Sequence, residues 1–86
     1  MSFTVIADAK VDAAFRKMWQ KDSVRFGQID KKLIELAENP EIGKPLKKPL
    51  IRFWRLHIGH YVLIYKIDRK NRKIILLDYA HHDEVY

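Results

Sequence analysis

The sequence predicts an α+β domain in which a small, mostly antiparallel sheet packs against a helical hairpin, with elements in the order β-α-α-β-β-β. Two apolar stripes at helical spacing follow one another between Val11 and Ala37. From Phe53 onward, three runs rich in β-branched and aromatic residues are separated by short polar turns. At 86 residues the chain has room for one hydrophobic core, so residues 1–86 are read as a single domain.

Phe3-Thr4-Val5-Ile6 is the first strand. Asp8 is placed to cap a helix whose apolar residues are Val11, Ala14, Phe15, Met18 and Trp19, one face of a 3.6-residue period. Asp22 and Ser23 offer a second N-cap. Phe26, Ile29, Leu33, Leu36 and Ala37 form the next stripe, and Asn39-Pro40 stops it. Glu41 to Pro49 reads as a loop, because Gly43, Pro45 and Pro49 alternate with Lys44, Lys47 and Lys48. Phe53–Ile58, Tyr61–Ile67 and Lys73–Tyr79 then read as strands joined by turns at Gly59-His60 and Asp68–Arg72. Their nearly continuous apolar character predicts strands covered on both faces, one of them by the helical hairpin.

Composition narrows the chemistry. There is no cysteine, which excludes disulfides, thiolate metal sites and thiol catalysis. No run approaches the ~20 apolar residues of a membrane span, and the N-terminal residues lack the basic start of a signal peptide. A cytoplasmic location is expected. Lysine and arginine outnumber aspartate and glutamate 17 to 11, for a formal charge of +6. That excess is concentrated in the second half and suits a polyanionic partner.

Alternation along a strand places Phe53, Arg55 and His57 on one face and Trp54, Leu56 and Ile58 on the other. The second set is the natural core. Arg55 and His57 are left side by side, Cα atoms ~6.5–7 Å apart, as a cation and a titratable imidazole able to grip a phosphate. Beyond the last strand, Ala80-His81-His82-Asp83-Glu84-Val85-Tyr86 adds two histidines, two carboxylates and a terminal tyrosine. His57, His60, His81 and His82 lack the spacing of a metal site, so neither metal nor other cofactor is expected.

The stretch Lys47 to Tyr65, with its Trp-Arg-Leu-His-Ile-Gly hairpin, the Asn39-Pro40 loop and the tail His-His-Asp-Glu-Val-Tyr, resembles the RelE/ParE superfamily of toxin–antitoxin toxins. The likeness covers nearly the whole chain. It implies a small sheet on a helical hairpin and, for the RelE-like branch, ribosome-dependent cleavage of messenger RNA. Arg55 and His57 fall where that branch keeps two basic residues. Val62 stands where the family commonly has an arginine on the scissile phosphate, and His82 where it has a tail arginine. The YafQ-like subgroup also lacks the first arginine and relies on a strand histidine and one four residues before a C-terminal aromatic. His57, His82 and Tyr86 match those positions.

The resemblance therefore implies a metal-independent endoribonuclease working by 2′-OH transesterification. Its catalytic set would be His57, His82, Arg55, Tyr86 and His81, with Lys44, Lys47, Lys48 and Arg52 binding RNA. The implied partners are a cognate antitoxin in a hetero-oligomer, messenger RNA and the ribosome, and no membrane. Two further readings stay open: a ParE-like inhibitor of DNA gyrase, and a catalytically degenerate fold that only binds antitoxin.

Overall fold

The structure is a computed structural model that describes residues 2–49, 52–81 and 83. Strand β1 (Thr4–Ala7) leads into helix α1 (Ala9–Lys21), followed by helix α2 (Ser23–Glu38). A single 3-10 turn, Pro40–Ile42, precedes a two-residue strand β2 (Lys44–Pro45). Strands β3 (Trp54–Ile58), β4 (Tyr61–Asp68) and β5 (Lys73–His81) follow. The sheet order is β1-β5-β4-β3-β2. Strands β1 and β5 run parallel, and the other neighbouring pairs are antiparallel. The predicted α+β class and helical hairpin are both present.

The helices form where the caps and stripes require. Asp8 accepts from the Val11 amide at 3.1 Å, satisfying one of the amide donors that every helix start leaves without an intrahelical partner. Asp22 both ends α1 and caps α2, accepting from the Arg25 amide at 3.1 Å, so a single residue joins the two helices. Val11 and Phe15 of α1 and Ile29 and Leu36 of α2 are buried with Leu56, Ile58, Leu63, Tyr65, Ile74, Leu76 and Tyr79 of the sheet. As predicted, Leu56 and Ile58 face the helices, and Trp54 packs against that core and stacks on Tyr65 at 6.2 Å.

Several boundaries and faces differ from the sequence expectation. The first strand lies one residue later than predicted, because Thr4 to Ala7 pair with Lys73 to Leu76. Lys44-Pro45 is not loop but edge strand, paired with Arg55 and Trp54. A strand of this length carries no periodicity of its own and exists through its partner. The last strand runs on to His81, which pairs with Tyr61 and is therefore not tail. Trp19 does not join the core: it is 61% exposed and meets Phe26 edge-on at 5.6 Å. The expectation of strands covered on both faces is also corrected. The helices cover one face, and on the other Ile64 and Ile75 are half-exposed and Ile6 is 39% exposed. Val62, on that open face in register with His57 and Ala80, is nonetheless fully enclosed.

Glycine matters at two points. Gly59 adopts φ +62° in the β3–β4 turn, a conformation that a side chain disfavours. At Gly43, an added Cβ would collide with the Arg55 carbonyl oxygen and lie 2.5 Å from the Tyr65 hydroxyl. That hydroxyl, on a fully buried ring, donates to the Pro40 carbonyl at 2.6 Å. Burial pushes the Tyr65 pKa up to about 12, with the Gly43 amide opposing the shift and Glu41 adding to it. This small lock clamps the basic loop against the sheet.

Candidate functional site

The open face of the sheet carries the cationic cluster. Register sets Lys44 directly across from Arg55, and Arg55 across from Ile64, so all three share one face. His57, two residues along β3 and paired with Val62, lies on that face beside Arg55. Lys44 and His57 are exposed, while Arg55 is half-buried. Like charges directly opposite each other in a sheet repel, and an anion between them relieves that cost. The Gly43–Tyr65–Pro40 lock holds Lys44 in this position.

Next to His57, an open cavity of about 330 Å³ separates the end of β3 from α2, lined there by Gln28, Lys31, Lys32 and Glu35. Lys32 pairs with Glu35 at 3.3 Å. Lys31 and Lys32 are not among the cations expected from the sequence. Their spacing with Gln28 and Glu35 marks a single helix face, but which strand that face borders is decided only by tertiary packing.

The tail residues divide. His81 does not join Arg55 and His57. Its pairing with Tyr61 turns it to the helix side, edge-on to the Tyr61 ring at 5.5 Å and stacked on His60 at 6.4 Å. There it borders a separate cleft with Arg25, whose guanidinium sits 4.1 Å from the centre of the Tyr61 ring. Burial works against the Arg25 charge, but hydrogen bonds and charge from Tyr61 and Tyr79 outweigh it and raise its pKa. His81 Nδ1 lies 3.3 Å from the Asp83 amide and 3.5 Å from the Asp83 carboxylate. His82 and Tyr86 lie outside the described residues.

Lys47 and Lys48 are exposed on the loop after β2, and Arg52 is exposed just before β3. All the predicted RNA-binding cations therefore lie within the segment that borders β3. Among the described residues no group of three or more histidines or carboxylates is placed to hold a metal ion, and no helix is long and apolar enough to cross a membrane.

Residues 3–86 match the family model described as the ParE toxin of the type II toxin–antitoxin system parDE. The chain belongs to the RelE/ParE superfamily of type II toxins. A Methanocaldococcus jannaschii protein named "Putative toxin RelE4" is 35% identical to this toxin over 77 residues, spanning 88% of this chain and 82% of that one. A Methanosarcina mazei protein is 38% identical over 79 residues, spanning 91% and 92%. In fold, the toxin is similar to the RelBE2 toxin–antitoxin complex of Mycobacterium tuberculosis, with a TM-score of 0.81 at 21% identity over 95% of this chain and all of that one. It is also similar to the archaeal RelE–RelB complex of Pyrococcus horikoshii, with a TM-score of 0.74 at 18% identity over 99% and 100% of the two chains.

Proposed function

We propose that this toxin is a metal-independent endoribonuclease that cuts messenger RNA on the ribosome by 2′-OH transesterification. The observation that carries the reading is the placement of Arg55, His57 and Lys44 together on an uncovered sheet face. In this reaction the ribose 2′-oxygen attacks the adjacent phosphorus and the bond to the 5′-oxygen breaks. The products are a 2′,3′-cyclic phosphate and a free 5′-hydroxyl. One group takes the 2′ proton, another protonates the leaving oxygen, and a cation meets the charge that grows on the phosphoryl oxygens. In this reading His57 is the base, His82 the acid and Arg55 the phosphate stabiliser, while Tyr86 stacks on a base or orients the 2′-hydroxyl. His81, on the opposite face, takes no part in the chemistry. Lys44, Lys47, Lys48 and Arg52 hold flanking phosphates.

The partner in the same reading is a cognate antitoxin that forms a hetero-oligomer with the toxin. The neighbouring Mycobacterium and Pyrococcus structures, both solved as toxin–antitoxin complexes, support it. An acidic or amphipathic segment complements a surface of net charge +6. Co-expression of such a partner is expected to restore growth.

The ParE description of the matching family favours a second reading, in which the toxin binds DNA gyrase and needs no acid–base pair. One experiment separates the two. Adding the toxin to a translating extract and mapping new 5′-hydroxyl ends is expected to give cuts within messenger RNA. His57→Ala is expected to reduce them by ~10²–10⁴-fold, the usual contribution of an acid–base group. Absence of cuts together with arrest of gyrase supercoiling would decide for the second reading.

A further inference from the structure

The open face continues past Arg55 toward the start of β3. Two residues back along the chain, alternation returns to the same face at Phe53. Because Trp54 pairs with Tyr65, Phe53 lies level with Lys66, and Lys66 in turn pairs with Ile75. Lys66 and Ile75 pair across β4 and β5, and Phe53, just before β3, shares their surface, so that a half-buried aromatic and a half-buried isoleucine flank an exposed lysine. They line an open cavity of about 790 Å³, with Arg52 and Arg69 exposed on its rim.

Among the described residues the cavity has one carboxylate in its lining, Asp68, and that group is already engaged. Asn71 donates to it twice, from its backbone at 3.1 Å and its side chain at 3.0 Å, closing the β4–β5 turn. Hydrogen bonds from Asn71 hold the Asp68 pKa below the usual carboxylate value. Arg69 meets Glu41 at 3.6 Å, with both side chains more than half exposed. Such a long, solvated pair is readily exchanged for another anion.

An aromatic floor ringed by three cations is the composition that single-stranded nucleic acid prefers, since each base has a face to stack and each phosphate a charge to neutralise. An acidic protein segment would use the cations but gain nothing specific from the ring. We propose that this cavity is a nucleotide subsite. Phe53 stacks one unpaired base of an RNA strand, and Arg52, Lys66 and Arg69 hold its phosphate, one step along β3 from Arg55. The assignment rests on the reading of RNA as substrate and adds to it a position where the strand is gripped away from the bond that is cut.

The test uses the full chain carrying His57→Ala, so that RNA stays intact, titrated with a short single-stranded oligoribonucleotide containing the fluorescent base 2-aminopurine. Phe53→Leu keeps apolar bulk but removes the stacking face, and is expected to weaken binding roughly ten- to hundredfold. Phe53→Tyr is expected to restore it. An oligonucleotide with abasic positions should bind the Leu and parent forms alike. Arg52→Ala, Lys66→Ala and Arg69→Ala together should flatten the dependence of log affinity on log salt by about 0.7, the one phosphate contact they share. Equal binding by the Leu and parent forms overturns the subsite, as does a Leu form that binds RNA normally but loses a protein partner. Failure of the cleavage reading looks different: the His57→Ala form binds RNA through Phe53, yet the chain with His57 intact makes no cuts.

Discussion

Replacing Tyr65 with phenylalanine tests how the basic loop is held to the sheet. The ring stays and the core keeps its volume, but the hydroxyl that donates to the Pro40 carbonyl at 2.6 Å is gone, as is the oxygen that meets the Gly43 amide. Pro40 is buried, so its carbonyl is left without that donor. Removing one partner of a buried hydrogen bond costs about 1–3 kcal/mol. For a domain of 86 residues, with an unfolding entropy near 2.1 cal/mol/K per residue, that is roughly 5–15 °C in Tm. Alkali gives a second signature. The phenol has a pKa near 10 in the unfolded chain and about 12 when folded. Its contribution to stability is therefore complete below pH ~10 and is lost as pH rises toward 12, because the unfolded state gives up its proton first. The variant should show a shallower alkaline limb, although Tyr79, also raised by burial, keeps some of it. Urea denaturation followed by circular dichroism from pH ~7 to ~11.5 reads both effects. A variant within about 0.5 kcal/mol of the parent at neutral pH, with an unchanged alkaline limb, would refute the idea that this hydroxyl anchors the loop.

The pH dependence of messenger RNA cleavage is expected to be bell-shaped, the form that an acid and a base acting together produce; a flat profile from pH ~5 to ~9 would argue against a pair of histidines. Arg55→Ala should reduce cleavage and His82→Ala abolish it, whereas His60→Ala, in the hairpin turn and stacked on His81, should cut as the parent does. Lys47→Ala with Lys48→Ala should weaken binding to all RNA sequences alike and lower the salt slope by ~0.7 for each phosphate no longer neutralised, measured by fluorescence anisotropy at graded salt. Asp8→Ala removes the oxygen that accepts from the Val11 amide and should cost ~1 kcal/mol by thermal unfolding, whereas Asp8→Asn should cost little.

The features legible in the sequence are local in origin. The buried faces of α1 and α2 can be read because Val11 and Phe15, and Ile29 and Leu36, recur at helical spacing behind capping aspartates. The faces of β3 can be read because its apolar and polar residues alternate strictly, which is enough to put Arg55 and His57 side by side. The family follows from the order of short motifs along nearly the whole chain.

Tertiary structure decides whatever depends on partners distant in sequence. Lys44-Pro45 becomes a strand only through Arg55 and Trp54. The long apolar run of β5 leaves its inward face undetermined, since almost every residue in it is able to pack. A bulge settles the matter: Ile64 pairs with Asp78 and Tyr65 with Leu76, so Leu77 has no opposite number and the alternation shifts by one residue. Ile74, Leu76 and Tyr79 thus face the helices, where unbroken alternation would have sent Asp78 into the core. The same shift carries His81 inward beside Tyr61 and separates it from His57. A strand's side chains change face with every residue, so a one-residue irregularity that no local pattern announces decides which histidines share a site.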